Sequence, residues 1–151
     1  MNSDVTVAPA GPGDFDAARR LLEASGLPVA DLDAVEILVA RSGGRVVGCV
    51  GAELHGSAAL LRSLAVDPRR RCEGIGEGLL RAVVDLARRR GAREFYALTT
   101  TIEPLLARRG FTRVDRAEVP AAVRRSPEFE TLCPASAPCM RLEGDLAPRA
   151  G

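Results

Sequence analysis

Arg71-x-x-Gly74-x-Gly76 stands directly ahead of an apolar-periodic segment, and these residue types at this spacing suit the binding of an anion. Glycines at a helix mouth let a ligand approach the backbone, where N–H groups without helical partners and the positive end of the dipole face outward. Arg69, Arg70 and Arg71 add positive charge at the entrance. The alternative is a plain strand–helix turn, with glycines for packing and solvated arginines. No Gly-Lys-Ser/Thr follows, which excludes a Walker loop, and Leu79 stands where a dinucleotide fingerprint needs its third glycine.

A second charge is Arg62, mid-strand between apolar neighbours, where a charge is expensive unless paired. On a period of two it shares a face with Leu60 and Leu64. Two partners stay open: a substrate carboxylate gripped by both prongs, or a structural salt bridge to a carboxylate such as Glu53. Other candidates are Glu53 and His55 at one strand end, Thr99 and Thr100 at another, and Glu128 and Glu130 in a late insert. Glu53 is either a general base acting through water or a solvated carboxylate. His55, the only histidine, is expected to be a surface or hydrogen-bonded residue, and Tyr96, the only tyrosine, a packing residue. Cys49, Cys72, Cys133 and Cys139 form no Cys-x-x-Cys, and one histidine supplies a zinc site poorly, so no metal is expected.

The elements that must position these groups read off periodicity. Leu60 to Val66 is a mostly apolar strand stopped by Asp67-Pro68. Ile75, Leu79, Val83 and Leu86 make one face of a helix, with Glu77 in the first turn, Arg88 to Arg90 in the last and Gly91 beyond. Before them come a strand from Val5 to Ala8, a helix from Phe15 to Ser25 capped by Asp14, and strands Val35–Ala40 and Arg45–Glu53 around a Gly43-Gly44 turn. After them come a strand Arg93–Leu98, with Phe95 and Ala97 alternating against Glu94 and Tyr96, and a short helix Ile102–Arg109 closed by Gly110. Thr112–Glu118 and Ala137–Leu142 read as a last strand pair, and residues 144–151 as a frayed tail.

A chain of 151 residues with 46% hydrophobic and 27% charged content suits one globular domain, here residues 1–151. A net charge of +1 and 3% aromatics argue against a nucleic-acid partner. No apolar run approaches a membrane span and the first residues lack a signal-peptide pattern, so no membrane partner and a cytoplasmic location with reduced thiols are expected.

Leu64-Ala65-Val66-Asp67-Pro68, Arg71-x-x-Gly74-x-Gly76 and Gly78-Leu79-Leu80 together resemble the acetyl-coenzyme A motif of the GNAT superfamily of N-acetyltransferases. The element order is similar to that family's throughout, with Gly110-Phe111 as a second marker. The resemblance implies an α/β (α+β) GNAT fold, a mixed, largely antiparallel sheet of about six to seven strands with helices on both faces. It implies acetyl-CoA as cosubstrate, its pyrophosphate on the backbone of Arg71, Cys72, Glu73, Gly74, Ile75 and Gly76, and its pantetheine along Leu64, Ala65 and Val66. Leu61–Val66, Gly26-Leu27-Pro28 and the segment Phe129 to Met140 resemble a smaller branch associated with arsenic-resistance gene clusters and similar to the acetyltransferase domain of N-acetylglutamate synthase.

That branch implies a small amino-acid-like amine as acceptor, bound near Arg62, Leu27 and Ser63; a homodimer is compatible with it. It also makes Cys133 and Cys139 a conceivable arsenic pair, against the plainer reading of a strand cysteine as a small hydrophobe. The backbone N–H of Leu64 is the natural oxyanion donor. The usual side chains are replaced: Leu106 stands where many members carry a tyrosine acid, Thr99 where asparagine is common, and Leu60 where histone-acetylating members place a glutamate. Glu53 and Thr99 are the expected substitutes. The opposing reading is a catalytically degenerate acyl-CoA-binding or sensing module.

Overall fold

The computed structural model describes residues 4–29, 32, 35–71, 73–99, 101–132 and 136–148. Among these, seven strands form one sheet in the order β1-β2-β3-β4-β5-β7-β6. They are β1 (Val5–Pro9), β2 (Glu36–Ser42), β3 (Arg45–His55), β4 (Ala58–Val66), β5 (Glu94–Leu98), β6 (Thr112–Val114) and β7 (Cys139–Glu143). Only β4 and β5 run parallel, so the sheet is mixed and largely antiparallel, as expected. Gly43 and Gly44, with φ of 57° and 81°, make the tight β2–β3 turn whose backbone other residues adopt only at a cost. A parallel neighbour needs a crossover, and α2 (Ile75–Arg89) supplies it.

α2 lies on one face of the sheet. It buries Ile75, Leu79, Leu80, Val83, Val84 and Ala87 against Ala59, Leu61, Phe95, Ala97 and their neighbours. Each larger side chain removed from water contributes roughly 2 kcal/mol before the entropy of ordering is subtracted. Gly48 lets the helix lie this close: a Cβ there would sit 2.9 Å from Leu79 Cδ1. The other face carries two separate clusters. α1 (Phe15–Ala24) packs Ala18 and Leu22 near Ile37, Val39, Cys49 and Ala65. The insert with α4 (Ala121–Arg124) and a single π turn (Glu128–Leu132) packs Val119, Val123 and Phe129 on Leu60, Tyr96 and Leu98. No helix among the described residues is long and apolar enough to cross a membrane.

Several expectations are corrected. Phe95 and Tyr96 are not among them: they alternate as expected, both buried in clusters on opposite sides of the sheet. Asp14 stands at the N-cap position of α1, but its carboxylate turns back to accept from Gly11 N–H at 2.7 Å and pairs with Arg41. The strand expected over Thr112–Glu118 stops at Val114, because the Asp115 carboxylate accepts from Ala117 N–H and starts a 3-10 turn. The described part of the tail is docked: Ala147 N–H donates to Arg109 O at 2.7 Å, Arg109 Nε donates back to Ala147 O at 2.8 Å, and Leu146 packs on the core beside α3 (Glu103–Arg108).

All 21 cationic Lys/Arg side chains are arginine, so no lysine ammonium titrates at alkaline pH. Burial pushes the Cys49 thiol up to about 12 and the Cys139 thiol to about 11, and it also raises Tyr96. A thiol with a raised folded value favours the fold below its ordinary 9.0, and that contribution is lost as pH rises toward 12. The melting temperature should therefore fall between pH 9 and 11 by roughly 3 °C or more per pH unit, and Cys49→Ala should flatten the fall. Equal slopes in differential scanning calorimetry would assign the alkaline loss to other groups.

Candidate functional site

The site begins with an interruption of β4. Cys49 opposes Ala65 and Gly51 opposes Arg62, so one extra residue lies on β4 between them. Ser63 has φ of +60°, a conformation that costs a non-glycine residue about 1 kcal/mol or more. Two neighbours hold it there: Cys49 Sγ donates to Ser63 O at 3.3 Å, and Arg62 Nε donates to Ser63 Oγ at 3.2 Å. The bulge reverses the alternation. Ala59 and Leu61 before it, and Leu64 and Val66 after it, all pack with the α2 cluster. Arg62 and Leu64 thus lie on opposite faces, where an unbroken period of two puts them on one.

The second interruption is at the parallel seam. β4 pairs with β5 only from Ala58 to Leu61, so the β5-facing edge of β4 is open from Arg62 onward. Two cavities fill the gap. The inner one, about 350 Å³, is lined by Arg62, Ser63, Thr99 and Glu128 on its polar side and by Leu61 and Leu106 among apolar residues. The outer one, about 370 Å³, runs along Leu64, Ala65 and Val66 to Arg71, Gly74 and Gly76. They share Leu27, Leu64, Thr101 and Ile102, so Leu64 stands at their junction.

The outer cavity has the features of an anion site, with two corrections. Gly74 caps α2 with φ of 81° and, being glycine, brings no N-cap side chain to the helix mouth. A Cβ on Gly76 would come no nearer than 3.8 Å to the protein, so it would occupy cavity space rather than clash. Of the three arginines, Arg69 is turned onto Asp67 at 3.1 Å, holding that carboxyl below its ordinary value, and Arg70 forks onto Glu73 at 2.8 and 2.9 Å. Arg71 alone of the three is exposed while lining the cavity beside the glycines without an acidic partner among the described residues. Cys72, expected to offer its backbone N–H here, lies outside the described residues, as do Thr100 and Cys133. Glu73 and Ile75 flank Gly74, the Glu73 carboxylate committed to Arg70.

On the inner side Arg62 meets two carboxylates. Its Nη1 donates to Glu53 Oε2 at 2.7 Å, its Nε lies 3.2 Å from Glu128 Oε1, and its side chain has no exposure. Glu53 Oε1 in turn lies 3.2 Å from His55 Nε2. The counter-charge of Arg62 therefore comes from β3 and from the π turn: of the two partners left open, the structure shows the salt bridge to Glu53, with Glu128 beside it. Glu53 does not line the inner cavity, so it is poorly placed as a base there. Thr99 does line it, but its Oγ1 accepts from Thr101 and Ile102 N–H at 3.2 and 2.9 Å, leaving only its proton to offer. Leu27 and Ser63 are brought together with Arg62, as expected. Sequence reasoning missed the pairing of Arg62 with Glu128; the only signal was that a mid-strand charge needs a distant acid.

The acetyltransferase (GNAT) family model matches residues 9–114. No curated protein sequence matches the chain. N-acetylglutamate synthase from Neisseria gonorrhoeae, solved with coenzyme A and N-acetyl-glutamate, superposes with a TM-score of 0.78 at 23% identity over 99% of this chain and 36% of that one. The chain thus spans about a third of that synthase, and the likeness shows the fold. Rv2747 from Mycobacterium tuberculosis, solved with CoA and NLQ, gives 0.77 at 26% identity over 91% of this chain and 98% of that one. Ard1 from Thermoplasma volcanium gives 0.70 at 18% over 97% and 99%.

The Arg62 cluster makes a stability prediction. Arg62→Lys keeps the charge, but one ammonium cannot span two carboxylates approached from Nε and Nη1. Its melting temperature should drop by roughly 4–8 °C, from about 2 kcal/mol lost in a buried pair. An unchanged calorimetric midpoint would show that the fork is dispensable.

Proposed function

Since the chain belongs to the acetyltransferase (GNAT) family, we propose that it moves the acetyl group of acetyl-CoA to the amine of a small amino-acid-like acceptor. The observation that carries this reading is the meeting of the two cavities at Leu64. The outer cavity fits the cosubstrate: Arg71, Glu73, Gly74, Ile75 and Gly76, with Cys72 among them, would take the pyrophosphate on backbone N–H groups. The open edge of Leu64, Ala65 and Val66 would take the pantetheine amides as an added strand. Acetyl-CoA supplies an activated thioester. The Neisseria synthase and Rv2747, both solved with coenzyme A, support that choice, and the N-acetyl-glutamate in the first supports an amino-acid-like acceptor.

In this reading the protein's part is largely positional. Two reactants brought from separate cavities onto one residue gain the advantage of proximity, roughly 7 kcal/mol for well-aligned groups. The backbone N–H of Leu64 donates to the oxygen that becomes negative as the amine attacks. Leu61 and Leu106 exclude water on the apolar side. Leu27 and Ser63 shape the acceptor side. A link to arsenic resistance rests on sequence strings alone, and Cys139 is a buried thiol of the second cluster rather than an open ligand.

A second reading, an acyl-CoA-binding module without turnover, is favoured by Leu106, which brings no hydroxyl to the inner cavity. An assay of thiol release and acetylated product, with acetyl-CoA and a panel of amino acids, analogues and simple amines, separates the two. Turnover of at least one amine is expected; tight acetyl-CoA binding without any product would establish the binding module instead. Gly76→Val should stay folded, because its Cβ has room, yet bind acetyl-CoA on the order of 100-fold more weakly. Unchanged calorimetric affinity in that variant would remove the cosubstrate from this loop.

A further inference from the structure

The inner cavity does not stay on one side of the sheet, and its two ends differ in chemistry. Val50, Leu61, Leu80, Ala97 and Leu106 line it from the buried cluster that packs on α2. Leu98 and Ala137 line it from the cluster covered by the insert, and on that side Arg62 and Glu128 are paired at 3.2 Å. The passage exists because the β4–β5 seam ends at Leu61 opposite Ala97. Both of these last partners belong to the α2 cluster and line the cavity, so the gap opens straight into apolar core. An alanine opposite that leucine leaves depth which a larger side chain would fill.

We infer that the α2-side end of the inner cavity is a pocket for the donor's acyl chain, taking propionyl and butyryl as well as acetyl; this rests on the acyl-CoA reading above. In that reading the thioester sits at Leu64, where the two cavities meet. From a carbonyl held there, the chain has apolar walls on one side and the ion pair on the other. Hydrocarbon gains by leaving water for the apolar walls, and displacing water around an ion pair is costly. An acceptor amino acid has the opposite need, since its ammonium and carboxylate must find polar partners when they leave water. An acetyl group ends at its methyl and leaves the α2-side end empty. A dry apolar space of that kind accepts hydrocarbon readily. Leu106 adds an apolar wall and no hydroxyl that a longer chain would strand. The transfer keeps its balance whatever the chain length. The neutral amine bonds to the acyl carbonyl carbon, the carbon–sulfur bond breaks with its electron pair on sulfur, and the proton lost by nitrogen neutralises that thiolate.

Titration calorimetry of the full chain, without acceptor, tests the pocket with CoA, acetyl-CoA, propionyl-CoA and butyryl-CoA as probes. Each methylene added beyond acetyl should tighten binding about fourfold. Ala97→Val narrows the pocket and should cancel most of that gain, read against CoA on the same variant, with the melting curve showing that it folds. If that variant unfolds, the wild-type series decides alone. Affinity that stays flat or falls from acetyl to butyryl would overturn the pocket and leave the acetyl-transfer reading standing; an apolar acceptor side chain as the occupant predicts that flat series. A gain that survives in folded Ala97→Val would put the chain elsewhere and overturn the assignment too. If neither CoA nor acetyl-CoA binds, the acetyl-transfer reading and this inference fall together.

Discussion

A guanidinium with no solvent exposure has to be neutralised where it stands, and Arg62 imposes that requirement on three segments at once. β4 carries it, β3 brings Glu53 from one side, and the π turn brings Glu128 from the far end of the chain. Removing one partner from a buried pair typically costs about 3–5 kcal/mol, so these segments cannot drift apart cheaply. The insert is fastened further by Arg116, which donates to Ala137 O at 2.7 Å and covers Phe129. Along β4, Arg62 falls between Leu60 of one apolar cluster and Ala65 of the other, so charge marks the boundary between two packed regions.

The same arginine helps open the sheet. By bonding Ser63 Oγ it supports the positive φ at which β4 changes which residues face α2. Cys49 supports it from β3, where burial that raises its thiol also keeps the proton available to donate. One bulge and one truncated seam thus leave a gap next to rigid strands rather than on loose loops. Geometry of that kind is what two reactants meeting at one residue demand.

Much of this was legible beforehand, for local reasons. α2 announces itself by apolar spacing and terminal charges, and the β2–β3 turn and the turn into α2 by their glycines. The bulge was not legible, because serine does not mark a left-handed backbone and the groups that hold it there come from neighbouring positions and strands. The Glu128 pairing was not legible either: nothing in Ser126-Pro127-Glu128-Phe129 says which buried cation it meets. Local competition misled at Asp14 and Asp115, where short carboxylates satisfy nearby backbone N–H groups in ways that periodicity does not register.

The arginine-only cationic surface has a bearing on chemical self-harm. A protein that gathers an activated thioester risks being acylated by it wherever a neutral amine stands near. Guanidinium groups remain protonated and poorly nucleophilic at any physiological pH. With no lysine among 151 residues, the chain presents the thioester with no side-chain amine of its own. Forks such as Arg70 on Glu73, close to the start of α2, hold a surface together with groups that an acyl donor cannot consume.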